Sequence, residues 1–266
     1  MRSVPDLFDL AGRSALVTGG AGHLGQAIGG ALAECGARVA LLDRHDPSAV
    51  ASSLPSVEAG EHAALTVDLA VEDQVRAAPA AVADALGGLD IIVHAAAFVG
   101  ADAHTGWTTP VELQSLSKWR EALEVNLTAP FALTQSALSH LRESGHGSVI
   151  HIGSIYGALG PDWSLYDAED VPGTPAAYAA SKGGLMQMTR WLATSLAPDI
   201  RVNAIVPGGI ERDTAPRFKA AYEKRTPLAR MASEEDVKGA AAFLASDAAS
   251  YVTGQCLMVD GGWSAW

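Results

Sequence analysis

The chain has 266 residues, of which 48% are hydrophobic and 18% are charged. This composition is that of an ordinary globular protein, and it excludes the disordered and fibrous classes. The chain carries 18 Lys and Arg against 30 Asp and Glu, which gives a formal net charge of −12. Because such a charge repels nucleic-acid phosphates and anionic membranes, we expect a small-molecule substrate and neither of those partners.

The two cysteines, Cys35 and Cys256, are far apart in the sequence and belong to no CxxC or CxxxH group. This spacing argues against a disulfide scaffold and a zinc site, and it fits a reducing compartment. The N-terminal segment lacks an apolar stretch followed by a small-residue cleavage site, and no apolar run is long enough to span a bilayer. We therefore expect an unprocessed cytoplasmic protein without a bound metal.

Short apolar runs alternate with stretches of helical spacing along the chain. They predict seven strands, at 14–19, 38–43, 63–68, 89–97, 147–154, 200–207 and 255–260. They also predict helices at 27–37, near 120–144, at 176–197 and near 234–247, with further helix-compatible stretches between the early strands. This alternation is typical of a doubly wound α/β fold, with a mainly parallel sheet covered by helices on both faces.

No linker of disordered composition and no repeat divides the sequence, so we expect one domain over residues 1–266. Two long stretches, 98–118 and 157–175, interrupt the alternation. Both follow the carboxyl end of a predicted strand, where open α/β sheets bind ligands. We expect both to be functional loops.

A glycine-rich turn, TGGAGHLG at residues 18–25, joins the first predicted strand to the first predicted helix. Gly20, Gly22 and Gly25 give the spacing GxGxxG. Glycines at these places permit a tight turn and close approach of a pyrophosphate, which then lies at the helix N-terminus. The turn predicts a dinucleotide site, and the alternative is a glycine turn without a ligand.

Asp43 ends the second predicted strand, 18 positions after Gly25. A carboxylate at this place accepts hydrogen bonds from the adenosine ribose and repels a 2′-phosphate. We therefore predict NAD(H) rather than NADP(H) as the cofactor, although the adjacent Arg44 can tolerate a phosphate. The alternative is that Asp43 only caps the following segment.

Four polar residues complete the pattern. Tyr178 and Lys182 begin a predicted helix four residues apart and share one face, while Ser154 ends a strand and Asn126 lies on an earlier helix. With the glycine turn, they resemble the short-chain dehydrogenase/reductase family. The resemblance continues through VNL at 125–127, YAASK at 178–182, RVNAIVPGG at 201–209 and FLASDAASYVTGQCLMVDGG at 243–262. It implies a single-domain Rossmann fold and an oxidoreductase that forms dimers or tetramers.

The resemblance implies a catalytic role for each of these four residues. Tyr178 is the general acid/base, Ser154 hydrogen-bonds the substrate oxygen, and Asn126 holds a proton-relay water. Lys182 lowers the pKa of the phenol, since a unit charge about 4 Å away at an effective dielectric constant of 20 contributes roughly 4 kcal/mol. The alternative for Tyr178 and Lys182 is a surface helix pair. The alternative for Ser154 is a serine that only ends a strand, with Ser164 or Ser181 in its role.

The cofactor-binding candidates come from the glycine turn, from the ends of several strands and from the catalytic helix. They are Gly19, Gly22, His23, Leu24, Gly25, Asp43, Arg44, Asp68, Leu69, Ala95, Ala96, Tyr178, Lys182, Pro207, Gly208 and Ile210. The alternative for Asp68 is a helix cap.

The sequence departs from the family pattern at three places, two of which are short motifs. The turn has the spacing TGxxGxxG, which resembles the extended branch of the family, whereas the length and the VDGG motif resemble the shorter branch. The segment HAAA at 94–97 stands where many relatives have NNAG, and we expect His94 to be a structural substitute. We expect His151 to be a core histidine. We expect Trp263 and Trp266 to be buried against a neighbouring subunit, and the alternative is that they pack on their own chain.

The inserted segment 157–175 separates Ser154 from Tyr178 by 24 positions, more than relatives usually show. The string SIYGALGPDWSLY resembles a subgroup associated with flagellin modification and sugar biosynthesis. Aromatic and carboxylate side chains of the segment can stack on and hydrogen-bond a polyhydroxylated ligand, and the acids are Asp162, Asp167, Glu169 and Asp170. The substrate-binding candidates are Ser154, Tyr156, Trp163, Tyr166 and Tyr178. The alternative is that the segment packs as a lid or an oligomer contact.

The sequence thus predicts an NAD(H)-dependent enzyme that interconverts a secondary alcohol and a ketone on a sugar or polyol-like substrate. One alternative is a reductase of an apolar ketone or an acyl thioester. A second is an epimerase or dehydratase of the extended branch, which the absence of sequence for a substrate domain after residue 260 disfavours. A third is a non-catalytic NAD-binding sensor, which the four catalytic candidates disfavour.

Overall fold

The structure, a computed structural model, describes residues 1–99, 106–166 and 173–266. Seven parallel strands form its central sheet, in the order β3-β2-β1-β4-β5-β6-β7. The strands are β1 (Ser14–Thr18), β2 (Arg38–Asp43), β3 (Ala63–Thr66), β4 (Ile91–His94), β5 (Gly147–Ile152), β6 (Ile200–Pro207) and β7 (Cys256–Val259). The order reverses between β1 and β4, and ligands bind at such a reversal in open α/β sheets.

Helices connect the strands. They are α1 (Val4–Phe8), α2 (His23–Glu34), α3 (Ser48–Ser53), α4 (Glu72–Leu86), α5 (Leu116–Leu123), α6 (Ala129–Glu143), α7 (Ala176–Leu196), α8 (Pro216–Arg225) and α9 (Glu235–Ala245). With the all-parallel sheet, they confirm the predicted doubly wound α/β fold. No helix of the described residues combines the length and apolarity needed to cross a membrane.

The core lies on both faces of the sheet because strand side chains alternate between the faces. On one face Leu16 of β1 packs in a cluster with Val75 of α4 and Leu133 of α6. On the other face the adjacent Val17 packs in a cluster with Ile28 of α2. Each of these large side chains is at most 1% exposed, and burial of one such side chain contributes about 1.5–3 kcal/mol. The two clusters fix the position of the strand ends that carry the site.

The long helix predicted near 120–144 differs in the structure. It begins at Leu116 and is interrupted by a π-helical segment, Glu124–Thr128, before α6 continues. A π turn accommodates one extra residue and is frequent at functional sites. This turn places Asn126 in the interior, where it is 1% exposed. Pro130 follows in the first turn of α6, where a missing N–H is tolerated.

Candidate active site

The glycine turn after β1 closes on itself and on the loop after β4. Gly19 has a φ of 71°, and a Cβ placed on it would lie 2.8 Å from the Cα atom of Ala96. A Cβ on Gly25 would lie 2.0 Å from the carbonyl oxygen of Gly19. Only glycine fits at either place. The turn delivers the chain to the N-terminus of α2, whose N-cap is Gly22.

Asp43 lies beside this turn at the end of β2. One carboxylate oxygen accepts a hydrogen bond from the backbone N–H of Ala21 at 3.1 Å, and the other accepts one from the N–H of His45 at 3.0 Å. Each oxygen keeps a lone pair for a further donor. The exposed Arg44 follows it and also lines the cleft described next.

A cleft of about 1200 Å³ runs along the carboxyl ends of the strands. The structure brings all the predicted cofactor-binding residues to its wall, from the turn through Asp68 and Leu69, Ala95 and Ala96, to Pro207, Gly208 and Ile210. Asp68 accepts a hydrogen bond from the N–H of Ala70 at 2.9 Å, which holds the backbone just before α4. Asp68 therefore makes the kind of backbone contact expected of a helix cap, and it also lines the cleft.

Tyr178 and Lys182 lie on one face of α7, and the Lys182 ammonium is 5.8 Å from the centroid of the phenol ring. Lys182 is 2% exposed and donates a hydrogen bond of 2.7 Å to the carbonyl oxygen of Ile152, at the end of β5. Burial lowers its pKa to about 8. The ammonium is thus held by the sheet at the base of the cleft.

Ser154 follows β5 and meets Tyr178 at the cleft. Its hydroxyl oxygen accepts a hydrogen bond from the N–H of Tyr156 at 3.2 Å, and both Ser154 and Tyr178 line the cleft. Burial raises the pKa of the Tyr178 phenol, and the nearby Ser154 only partly offsets this. The largest cause is loss of hydration, which disfavours the charged phenolate.

Asn126 braces the site through its side chain. Its amide oxygen accepts a hydrogen bond from the N–H of Phe98 at 2.6 Å. Its amide nitrogen donates to the hydroxyl of Ser181 at 3.0 Å and to the carbonyl of Phe98 at 3.3 Å. Ser181 donates in turn to the carbonyl of Tyr178 at 2.8 Å. Asn126 therefore joins the loop after β4 to the helix that carries the phenol.

Comparison with known proteins agrees with this geometry. A family model described as "Enoyl-(Acyl carrier protein) reductase" matches residues 19–264. The cis-4-hydroxycyclohexanecarboxylate dehydrogenase of Sinomonas cyclohexanicum is 36% identical over 265 residues, which are 95% of this chain and 97% of that protein. The chain belongs to the short-chain dehydrogenase/reductase family. As a member, it is an oxidoreductase that acts on CH–OH groups.

Two solved structures of the family resemble the chain over nearly its full length. A short-chain dehydrogenase from Leptospira borgpetersenii with bound NAD+ has a TM-score of 0.83 and 29% identity, covering 99% of this chain and 96% of that one. A gluconate 5-dehydrogenase from Burkholderia cenocepacia, in complex with NADP and tartrate, has a TM-score of 0.83 and 30% identity, covering 99% and 100%. The cofactor of this short-chain dehydrogenase/reductase is therefore a nicotinamide dinucleotide.

The substrate side of the cleft contains an aromatic wall, which we define as Phe98, Trp107, Tyr156, Tyr166, Phe218 and Tyr222. Tyr156 and Tyr166 are hydrogen-bonded through their hydroxyls at 2.6 Å. Trp163 is 57% exposed and is not among the residues that line the cleft. Asp162 is paired with Arg225 at 2.7 Å, away from the lining residues. The other predicted acids, Asp167, Glu169 and Asp170, lie outside the described residues.

Sequence reasoning did not identify Thr174, Phe218 or Tyr222 as part of the site. Phe218 and Tyr222 lie four residues apart on α8, a helix that was not predicted, and their rings are 5.9 Å apart. The recurrence of aromatic residues at a spacing of four was the available signal. The hydroxyl of Tyr222 accepts a hydrogen bond of 2.6 Å from the N–H of Gly209, in the segment that contains Pro207 and Gly208.

The prediction that Trp263 packs against another subunit is wrong. Trp263 is 2% exposed within its own chain, where its ring stacks on Tyr222 at 4.3 Å between centroids. The guanidinium of Arg225 lies 4.9 Å from the Trp263 ring on its own chain. Trp266 is 75% exposed. Neighbouring aromatic residues on α8 supply the apolar contact that we had assigned to a partner.

Two buried histidines lie side by side beneath the site. His94 of β4 and His151 of β5 are opposite each other in the sheet, with ring centroids 5.1 Å apart. The His94 Nε2 atom is 3.0 Å from the Thr134 hydroxyl, and the His151 Nδ1 atom is 2.8 Å from the Thr189 hydroxyl. Because Thr189 donates its own proton to Leu185, His151 is assigned as the donor to it. Both histidines are structural here, as expected.

The burial of His151 makes the free energy of unfolding depend on pH. Burial lowers the pKa of His151 to about 3, from an ordinary value of 6.5. As the pH falls below about 6.5, the unfolded chain binds a proton that the folded chain excludes, so the free energy of unfolding decreases by about 1.4 kcal/mol per pH unit for this histidine. We expect His151→Asn, which retains a donor for Thr189, to reduce that slope in urea titrations between pH 6 and pH 5. His146→Asn, at an exposed histidine, is the matched control, and equal slopes for wild type and His151→Asn would contradict the prediction.

Proposed function

We propose that this protein is an NAD(H)-dependent dehydrogenase that interconverts a secondary alcohol and a ketone on a sugar or polyol-like substrate, with residues 1–266 acting as one domain. One observation carries the proposal. Tyr178, Ser154 and the buried Lys182 lie in the same cleft as the glycine turn and Asp43. This arrangement holds an alcohol oxygen next to a dinucleotide site.

The residues present fit a dinucleotide. The turn around Gly19 and Gly25 leaves no room for a Cβ, so the backbone can approach a pyrophosphate closely at the N-terminus of α2. Asp43 would hold the adenosine ribose, Lys182 the nicotinamide ribose, and the backbone near Ile210 the carboxamide. When bound, the cofactor supplies the hydride acceptor or donor and, when oxidised, a positive charge on its ring.

The protein supplies the proton chemistry. Ser154 holds the substrate oxygen by its hydroxyl, and Tyr178 exchanges the proton with that oxygen. The raised pKa of Tyr178 keeps the phenol protonated at neutral pH, which is the form that donates to a ketone oxygen. Positive charge from Lys182 and from an oxidised ring would stabilise the phenolate when an alcohol is oxidised. Asn126 links the loop after β4 to α7 and so fixes their relative position.

The substrate class is supported by the wall of the cleft and by the relatives. Aromatic rings pack on the C–H faces of a ring, and hydroxyl groups such as those of Tyr156 and Tyr166 bind its oxygens. The Sinomonas relative is named for a hydroxylated ring and the Burkholderia neighbour for gluconate. Both names describe hydroxyl-bearing substrates.

Assembly into a homodimer or homotetramer is part of the same proposal. Phe131 on α6 is 38% exposed and Trp191 on α7 is 59% exposed. Large apolar side chains on neighbouring helices are costly to leave in water and are typical of an interface.

The preference for NAD(H) can be tested by fluorescence titration with NADH and NADPH. We expect NADH to bind at least tenfold more tightly. Asp43→Ser removes the charge that opposes a 2′-phosphate and weakens the ribose contact, so we expect it to reduce the ratio of the two affinities by about 10–100-fold. Asp46→Ser, at an exposed carboxylate beyond β2, is the control. Tighter NADPH binding by the wild type would contradict the assignment.

The reaction is tested with the tighter cofactor and a panel of sugars, polyols, cyclic alcohols, apolar ketones and acyl thioesters, followed at the absorbance of the reduced nicotinamide. We expect turnover of polyhydroxylated substrates. The family model that matches the chain is described as "Enoyl-(Acyl carrier protein) reductase", and turnover confined to acyl thioesters or apolar ketones would favour the second candidate, a reductase of such substrates. Cofactor binding with no turnover of any member would favour the non-catalytic sensor.

A further inference from the structure

Three hydroxyl groups meet on the substrate side of the cleft. The Tyr156 and Tyr166 hydroxyls are 2.6 Å apart, and the Tyr166 hydroxyl is 3.2 Å from that of Thr174. We call these three residues the hydroxyl triad. All three line the cleft and are partly buried. Tyr156 is two residues from Ser154 and donates its backbone N–H to the Ser154 hydroxyl, so the triad is joined directly to the reacting centre.

The triad has unused hydrogen-bonding capacity. Each hydroxyl brings one proton and two lone pairs. The two hydrogen bonds between the three groups use two of the three protons and two of the six lone pairs. Among the described residues, no other side chain or backbone group is hydrogen-bonded to these three oxygens. The triad therefore offers both a donor and acceptors to a molecule in the cleft.

This capacity matches a neutral hydroxyl better than a carboxylate. A hydroxyl both donates and accepts, whereas a carboxylate only accepts and favours a cationic partner. Burial raises the pKa of Tyr156 far above its ordinary range, so the phenol stays neutral. Two cations that line the cleft are already paired with carboxylates, Lys118 with Glu121 and Arg212 with Glu234, each at 2.8 Å.

The surrounding wall indicates the shape of the ligand. Tyr166 lies 5.4 Å from Phe218 between ring centroids, and Phe98 and Trp107 are in edge-to-face contact at 4.9 Å. Flat rings of this kind pack against the C–H faces of another ring and contribute little that would hold a flexible open chain. We propose that the hydroxyl triad recognises a second hydroxyl on a ring-shaped substrate, so that cyclic polyols are the preferred substrate class. This inference rests on the proposed function.

The test compares a ring with one hydroxyl to rings with two. The kcat/KM of the wild type is measured for cyclohexanol, for cyclohexane-1,2-, 1,3- and 1,4-diol, and for 4-hydroxycyclohexanecarboxylate. We expect the best diol to exceed cyclohexanol by about tenfold, the factor for one hydrogen bond worth about 1.4 kcal/mol. We expect Tyr166→Phe, which removes the central hydroxyl and keeps the ring, to abolish this ratio. Tyr156→Phe should reduce it as well.

One variant serves as the control, and several outcomes would contradict the inference. Tyr251→Phe changes an exposed tyrosine and should leave the ratio unchanged. An absent diol preference, or one that survives both triad substitutions, overturns the inference, while turnover of any sugar or polyol in the panel preserves the proposed function. A preference for the carboxylate that Arg120→Gln removes also overturns it, since Arg120 lines the cleft and has no carboxylate partner among the described residues. No turnover of any alcohol with either cofactor overturns the proposed function itself.

Discussion

Replacement of Tyr178 by Phe is expected to lower kcat by about 10²–10⁴-fold, the usual contribution of a positioned acid or base. The substitution removes one oxygen from a half-buried ring and leaves the contacts of α7 in place. The phenol lines the cleft together with Ser154, so its loss deprives the substrate oxygen of its proton partner. The measurement is steady-state turnover of the best panel substrate, with NADH affinity determined in parallel.

The affinity for NADH shows whether Tyr178→Phe affects the reaction itself or the folded structure. We expect it to change by less than about threefold, since the glycine turn and Asp43 are untouched. Tyr251→Phe, at an exposed position, is expected to retain full turnover. Undiminished kcat in Tyr178→Phe would remove this residue from the chemistry, whereas a parallel loss of NADH binding would show a structural effect instead.

Replacement of Gly25 by Ala is expected to weaken NADH binding by at least about 100-fold. The added Cβ would lie 2.0 Å from the carbonyl oxygen of Gly19 and 2.6 Å from its carbonyl carbon. Backbone atoms cannot move aside as a flexible side chain can, so the turn must open. Overpacking of this kind costs about 1–3 kcal/mol or more, and we expect a similar decrease in the free energy of unfolding.

Gly30 provides the matched control on the same helix. A Cβ at Gly30 of α2 would meet nothing within 4 Å. Alanine is a better helix former than glycine by about 1 kcal/mol, so Gly30→Ala is expected to stabilise the protein and to leave NADH affinity unchanged. Urea denaturation and fluorescence titration of the two variants give the comparison. Equal NADH affinity in Gly25→Ala and wild type would show that the turn does not hold the dinucleotide.

The strands were the most predictable part of the fold. The bounds of β2 and β6 coincide with the predicted 38–43 and 200–207, because buried strands of a parallel sheet are continuous apolar runs bounded by polar or glycine residues. The break between α5 and α6 could not be predicted. Helical spacing before and after Asn126 is continuous, and the π turn arises from the fit of that side chain between the loop after β4 and α7.

The site was predictable where a local motif defines it. Gly25 lies in the glycine turn, Asp43 ends β2 beside it, and Tyr178 and Lys182 are four residues apart on one helix. The pKa of Tyr178 was not predictable, since its direction depends on how completely the folded chain removes water from the phenol. Thr174 and the α8 pair Phe218 and Tyr222 enter the cleft from separate segments. The spacing of four relates the two aromatic residues to each other, but no short-range pattern indicates that they share a cleft with Thr174.

Tyr222 belongs to both sides of the cleft. Its ring packs on Phe218 of the aromatic wall, and its hydroxyl accepts the N–H of Gly209 beside the cofactor segment. A substrate that shifts this ring also shifts the acceptor that holds Gly209. We therefore expect the affinities for substrate and cofactor to be thermodynamically linked, so that each ligand changes the affinity for the other by the same factor. A substitution at Phe218 that is meant to change substrate specificity is therefore expected to change cofactor affinity as well, and both should be measured.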